Sequence, residues 1–178
     1  MFQKLLLFGG AAAFLLMSLS LPPQPAKKWV CKPCGSDCDK EEYDAAGECK
    51  HCHMPLVDPN TIRFTNIPIS QICDKLKDPS VIALDVRTPA EFNGTAPDKF
   101  GRIKDAINIP IQEIESRIGE LEKYKDREIL VYCSHSHRSP QVAWLLNQRG
   151  FKKVDNMASG MSVWSDSVRC EEYRTFAP

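Results

Sequence analysis

The chain has no excess charge of either sign. Its 23 lysines and arginines are matched by 23 aspartates and glutamates, so the formal net charge is zero. That balance gives no reason to expect nucleic acid or an anionic membrane surface as a partner. There is no internal repeat, which excludes a stacked-repeat architecture, and no low-complexity tract. With 178 residues and 26% of them charged, the composition is that of a globular protein with room for one good core and a small appendage.

The N-terminus departs from this average. Lys4 precedes LLLFGGAAAFLLMSLSL, which contains no charged residue, and PPQPAKK follows. A basic start, an apolar run and the small residues Ser18 and Ser20 near its end describe a secretory signal. No Ala-x-Ala is present, and no cysteine follows closely enough for a bacterial lipoprotein. The competing form is an uncleaved anchor, since about 17 apolar residues lie at the lower limit for a span. Cleaved export is the favoured expectation, which places the rest of the chain in the periplasm; a membrane is a partner only if the segment stays uncleaved.

The chain then divides into a targeting segment and linker (1–28), a cysteine-rich module (29–58), an α/β region (61–168) and a tail (169–178). The module has too few aliphatic residues for an apolar core, so disulfides or a metal must hold it. From Thr61 onward, strand and helix patterns alternate. VIALDV and EILVYC are nearly continuous apolar runs, as expected of strands buried on both faces. FTNI, AINIP and KVDNM read as further strands. PISQICDKLKD, IQEIESRIGEL and SPQVAWLLNQRG carry apolar residues at helical spacing, and SGMSVWSD reads as a short helix. Alternation of this kind predicts an α/β fold with a parallel sheet covered on both faces.

In such sheets ligands gather beyond the carboxyl ends of the strands, and Cys133 stands where EILVYC ends. The loop CSHSHR follows, with Ser139 expected as the N-cap and Pro140 as the first residue of a helix. Loop N–H groups and the helix dipole would stabilise a thiolate, and Arg138 adds a permanent cation. An inert cysteine capping a buried strand has no need of that polar loop. The stretches LDVRTPAEF, GRIKDAINIP, Cys-x4-Arg and NMASGMSVW occur in one order that resembles the rhodanese domain, from about Thr61 to Trp164. The resemblance implies a five-stranded α/β domain in which Cys133 carries sulfane sulfur as a persulfide. It also implies an anion cradle of Ser134, His135, Ser136, His137 and Arg138, and a brace of Asp85 and Arg87.

Cysteine-dependent phosphatases use Cys-x5-Arg, one residue longer, and no aspartate stands out here as their general acid. Thiosulfate-using members of the family often have a basic residue at the position of Ser134 and glycine at that of Ser136, where a tight cradle demands positive φ. These substitutions weaken the case for thiosulfate as donor and leave persulfide chemistry at Cys133. NGTAPDKF is longer than the usual connection and is expected to form a lip beside the site. One of His135 and His137 is expected to line the loop and the other to be solvated; a His-x-His metal site shared with Cys133 is the less favoured arrangement.

The module carries Cys31-x2-Cys34 and Cys49-x2-Cys52, two knuckles suited to tetrahedral zinc, with Cys38 as an extra thiol. Its Gly47-x-Cys49-x2-Cys52 stretch resembles small zinc-ribbon or heavy-metal-binding modules, with His53 where these usually have glycine. The alternatives are a disulfide-stapled mini-domain, favoured by an oxidising compartment, and a copper site assisted by His51, His53 and Met54. The acidic residues from Asp37 to Asp44 read as a solvated face. Cys73 is expected to be structural, while Cys170 in the tail is a weak candidate for resolving a persulfide on Cys133. The combined expectation is an exported sulfurtransferase that takes sulfur from thiosulfate or a persulfide to a thiol or cyanide-like acceptor. Zinc belongs in the ribbon, and no cofactor is required for the transfer. The alternative is a non-catalytic metal-handling or redox-sensing adaptor that uses the same fold for docking.

Overall fold

A computed structural model describes residues 26–164, 168 and 170–176. The N-terminal apolar segment with Lys4, Ser18 and Ser20, the end of the expected SGMSVWSD helix, and Arg169, Ala177 and Pro178 of the tail lie outside the described residues. Among the described residues no helix is long and apolar enough to cross a membrane.

The cysteine module is a three-stranded antiparallel sheet. Strand β1 (Trp29–Cys31) lies between β2 (Glu42–Tyr43) and β3 (Leu56–Val57). Its interior is sulfur more than hydrocarbon: Cys31, Cys34, Cys38 and Cys49 are buried with Leu56, and Trp29, Tyr43, Cys52 and Met54 pack around them.

The α/β region runs through β4 (Thr65–Ile67), α1 (Ile69–Leu76), β5 (Ile82–Asp85) and α2 (Pro89–Phe92). It continues with β6 (Arg102–Ile103), β7 (Ile107–Asn108), α3 (Ile114–Arg117), β8 (Ile129–Tyr132), α4 (Ser139–Gln148) and β9 (Val154–Met157). Five of these strands form one sheet in the order β4-β9-β8-β5-β7, with every neighbouring pair parallel. The architecture is therefore the α/β sheet flanked by helices that the pattern predicts. Strand β8 is central and wholly buried. Ile129 and Val131 point into one apolar layer with Leu84, Val142 and Leu146, and Leu130 and Tyr132 into the other with Ile72 and Met157. Two covered faces explain why this strand reads as an unbroken apolar run.

Two elements differ from the sequence pattern. The helix expected over IQEIESRIGEL is one α-helical turn, α3, followed by a 3-10 segment, Ile118–Tyr124. Gly119 weakens the α-helix there, yet Ile114 and Leu121 remain buried. The tail is also more structured than a polar appendage would be. Strand β10 (Arg174–Thr175) pairs antiparallel with β6, and Cys170 is disulfide-bonded to Cys73 of α1. Cys73 is thus structural as half of a bridge, and Cys170 is engaged there rather than free to resolve a persulfide.

Candidate active site

Cys133 follows β8 directly, at the carboxyl end of the central strand, and is 1% exposed. Behind it, the turn at 159–162 holds the strand end in place. Met161 N–H donates to the Cys133 carbonyl and Ser162 N–H to that of Ser134, both at 2.9 Å. Gly160 (φ 67°) permits this approach, since a Cβ there would meet both carbonyls. This is the structural content of the SGM stretch.

In front, the loop encloses the sulfur. Ser139 Oγ donates to Cys133 Sγ at 3.4 Å. Burial pushes the thiol's pKa up, but the Ser139 hydroxyl and the backbone N–H groups of Ser139, Arg138 and His135 outweigh it, and the net direction is down. Ser139 is the first residue of α4, and Arg138 occupies the N-cap position in its place, without a side-chain cap. The hydroxyl expected to cap the helix is instead engaged with the sulfur.

The Arg138 guanidinium, expected beside the thiolate, interacts with Cys133 and is held chiefly by Glu91. Nη1 and Nη2 donate to its two carboxylate oxygens at 2.7 and 2.6 Å. Glu91 also accepts from Ser134 Oγ at 2.8 Å and from Thr88, whose N–H and hydroxyl lie at 3.0 and 2.9 Å. Arg138 chiefly holds the Glu91 carboxyl far below the usual range, against burial. Glu91 was missed in the sequence, although Thr88-Pro89-Ala90-Glu91 is a capping-box pattern and the box forms at the start of α2. One carboxylate thus caps a helix and ties down both ends of the loop.

Asp85 and Arg87 form a fully buried ion pair at 2.7 Å beneath the site. The guanidinium also donates to the Gly101 carbonyl at 2.8 Å and lies over the Tyr132 ring, 5.7 Å from its centre. The pair links β5, β8 and the segment before β6, which makes it a scaffold for the loop. The expected lip is in place at its end: Phe100 meets the His135 ring edge-on at 5.5 Å. Both loop histidines are exposed; His137 Nδ1 lies 3.2 Å from the Cys34 carbonyl. Among the described residues Cys133 belongs to no metal-ligand cluster. Ser136 is buried with φ 58°, the conformation for which glycine is suited, and its Oγ accepts from Asn156 Nδ2 at 3.0 Å.

In the module, all five thiols are unbridged. Cys31, Cys38, Cys49 and Cys52 form one compact group of sulfurs, and Cys31, Cys34 and Cys38 form another with Asp39. Sulfur separations include 3.2 Å (Cys31 to Cys52), 3.7 Å (Cys38 to Cys52) and 3.6 Å (Cys34 to Cys38). Tetrahedral zinc with Zn–S near 2.3 Å requires about 3.8 Å between sulfurs, so the donor set and its spacing fit such an ion. The expected quartet of Cys31, Cys34, Cys49 and Cys52 is altered in one member: the compact quartet takes Cys38, and Cys34 sits at its edge. The Tyr43 hydroxyl, with the N–H groups of Cys52 and His51, draws the Cys49 thiol down to about 6. No histidine joins these sulfur groups among the described residues; the exposed His51 lies 2.8 Å from Glu41. His53 has φ 58°, which suits its glycine-like place in the knuckle. Asp39 is more than a solvated acid, since it accepts from the N–H groups of Cys34 and Gly35 at 3.0 and 2.7 Å.

A family profile described as Rhodanese-like domain matches residues 70–167. A protein named Sulfurtransferase from Allochromatium vinosum is 35% identical over 48% of this chain and 72% of its own length. Thiosulfate sulfurtransferase PspE from Escherichia coli is 30% identical over 41% of this chain and 64% of its own. The crystal structure of a rhodanese-related protein from Thermoplasma volcanium covers 64% of this chain and 97% of that one, at 30% identity and a TM-score of 0.49.

Proposed function

The chain belongs to the rhodanese-like domain family, its match at residues 70–167 taking in the whole Cys133 loop, and on that premise we propose that it is an exported sulfurtransferase working through a persulfide on Cys133. The observation that carries this reading is the buried thiol at the end of the central strand, under three backbone N–H groups and the Ser139 hydroxyl, with its pKa lowered.

The Cys133 thiolate attacks the outer sulfane sulfur of the donor. A new S–S bond forms as the old one breaks, and the donor leaves as sulfite (from thiosulfate) or as a thiolate (from a persulfide). The acceptor, a thiolate or cyanide, then attacks the outer sulfur of the Cys133 persulfide, and the Cys133 thiolate leaves with the bonding pair. In both steps the loop N–H groups hold negative charge on Cys133, the stabilisation expected of a preorganised, dry site. Arg138 acts on the loop through Glu91 and keeps the N–H groups aimed inward. A neutral serine at position 134 favours a persulfide over the thiosulfate dianion, although thiosulfate appears in the name of the Escherichia coli relative.

Export is supported by the basic and apolar N-terminal segment and by the Cys73–Cys170 disulfide, since such bridges persist in oxidising compartments. In that compartment, ligation of the module's five adjacent thiols by a metal would protect them from oxidation. Zinc on Cys31, Cys38, Cys49 and Cys52 would supply a structural cross-link; the sulfur transfer itself needs no metal.

The test is the intact mass of the protein after exposure to thiosulfate and, separately, to a low-molecular-weight persulfide, with Cys133→Ser alongside. A gain of one sulfur, removable by cyanide and absent from the variant, is expected with the persulfide. If neither donor loads the reduced protein, the transferase reading fails and the non-catalytic adaptor takes its place.

A further inference from the structure

The cysteine module does not sit apart from the Cys133 loop. Gly35, directly after the Cys31-x2-Cys34 knuckle, has φ 73° and packs so tightly on the Ser136 carbonyl that a Cβ would collide with it. Next to it, the Cys34 carbonyl lies 3.2 Å from His137 Nδ1. A carbonyl can only accept, so this contact selects the tautomer protonated at Nδ1. Two successive module residues therefore touch two successive loop residues. Lys32 of the module also lies over the Trp144 ring of α4, 5.0 Å from its centre, while on the other side of the contact the two parts diverge around a cleft of about 730 Å³, walled by Asp37, Asp39 and Lys40 and by Asn66 and Asn156. The contact with the loop is concentrated at residues 34 and 35.

Both sides of that contact are conformationally demanding. Ser136 is held at φ 58° without the freedom of glycine, a conformation that persists only where the surroundings impose it. On the module side, Asp39 fixes the turn through the N–H groups of Cys34 and Gly35. Cys34 Sγ lies 3.6 and 4.0 Å from Cys38 and Cys52 Sγ, two members of the quartet. The turn that presses on the loop is thus anchored in the sulfur cluster.

We propose that the module is a metal-dependent clamp on the sulfur-transfer site: ligation of the cysteine cluster fixes the Cys34–Gly35 turn, and the turn holds Ser136 and His137 so that the loop N–H groups converge on Cys133. This rests on the readings of Cys133 as the sulfur carrier and of the cluster as a metal site. The ligand class is a thiophilic divalent ion of tetrahedral preference, zinc being the probe. Without the ion, five thiols backed by one buried aliphatic residue, Leu56, lose their cross-link, and the turn is released. The loop then exchanges faster with solvent, and its grip on the thiolate weakens.

The experiment compares the full-length protein loaded with zinc and stripped by chelator under argon. It reads hydrogen exchange in peptides covering 134–138 and, separately, the alkylation rate of Cys133 by mass spectrometry of its own peptide. Stripping is expected to raise loop exchange about tenfold and to change Cys133 alkylation, while a peptide from the β8 strand stays protected. Gly35→Ala, which prevents the close approach, should give the stripped exchange pattern with zinc still bound. If that variant does not fold, His137→Ala removes the other half of the contact and should raise loop exchange in the loaded protein. Zinc binding with unchanged loop exchange and alkylation would overturn the clamp while leaving the metal site standing. Failure to bind zinc would overturn both. Neither readout needs turnover, so failure of the transferase reading registers separately, as absence of sulfur loading.

Discussion

Arg138 and Glu91 are joined by two hydrogen bonds, Nη1 to Oε2 at 2.7 Å and Nη2 to Oε1 at 2.6 Å. The arginine of the loop is therefore paired chiefly with a helix-capping carboxylate, and it also feels the thiolate of Cys133. Removing the charge of Glu91 should loosen the loop and leave Arg138 partly buried without its partner. Glu91→Gln is expected to cost about 2 kcal/mol in urea unfolding at neutral pH, the scale of a hydrogen bond to a charged group. The pH dependence fixes the assignment. A carboxyl whose folded pKa is depressed adds stability above its unfolded value, near about 4.3, and that stability is lost as pH falls toward the folded value. Glu91 is depressed in this way, so the gap between wild type and variant should narrow as pH drops below about 4. A gap that stays constant over that range would mean that Glu91 acts by packing alone.

The Ser139 hydroxyl, 3.4 Å from Cys133 Sγ, is the leading side-chain contribution that lowers this thiol's pKa against burial. In Ser139→Ala the midpoint for alkylation of Cys133 against pH should move up. Sulfur loading at neutral pH should slow by about tenfold, the equivalent of one charge-assisted hydrogen bond. An unchanged midpoint would assign the shift to the backbone N–H groups alone.

At Ser136 two effects compete. Glycine relieves the positive φ but gives up the hydrogen bond from Asn156, so Ser136→Gly should be close to neutral in stability. Alanine loses the same hydrogen bond and retains the strain. Ser136→Ala is therefore expected to be less stable than Ser136→Gly by about 1 kcal/mol in chemical denaturation. Equal stabilities would show that the loop relaxes out of the left-handed conformation when the hydroxyl is removed.

The parallel sheet was legible because strands covered on both faces, such as β8, cannot disguise themselves: each residue is apolar whichever way it points. Cys133 was legible because it ends such a strand and opens a polar loop. Even the positive φ of Ser136 could be anticipated, from the glycine that the family often has there. Glu91 was not, because its visible role is local, as the third residue of α2, closing a capping box with Thr88. Its second role depends on where the sheet brings α2 relative to the loop. The Cys73–Cys170 bridge was hidden for a similar reason. Its halves are 97 residues apart, and only the return of the tail against β6 brings them together. In the module, spacing identified the knuckles but could not tell which sulfurs face inward.

That last point leads to a direct test. The compact group is Cys31, Cys38, Cys49 and Cys52, whereas Cys34 groups with Cys31, Cys38 and Asp39. If zinc follows the compact group, Cys38→Ser removes a ligand and Cys34→Ser removes only a neighbour. Changing groups around the ligands typically costs about 10–100-fold in metal affinity, so losing a ligand should cost at least as much. Competition with a chromogenic chelator should therefore show Cys38→Ser weakened by more than about 100-fold and Cys34→Ser by clearly less. The reverse order would restore the paired Cys-x2-Cys knuckles as the ligand set and make Cys38 the bystander. Equal losses would mean that the five thiols share the ion by exchange, which the short Cys34 to Cys38 separation of 3.6 Å permits. Cobalt substitution separates that case from the others, because thiolate-to-cobalt absorption reports how many sulfurs are bound in each variant.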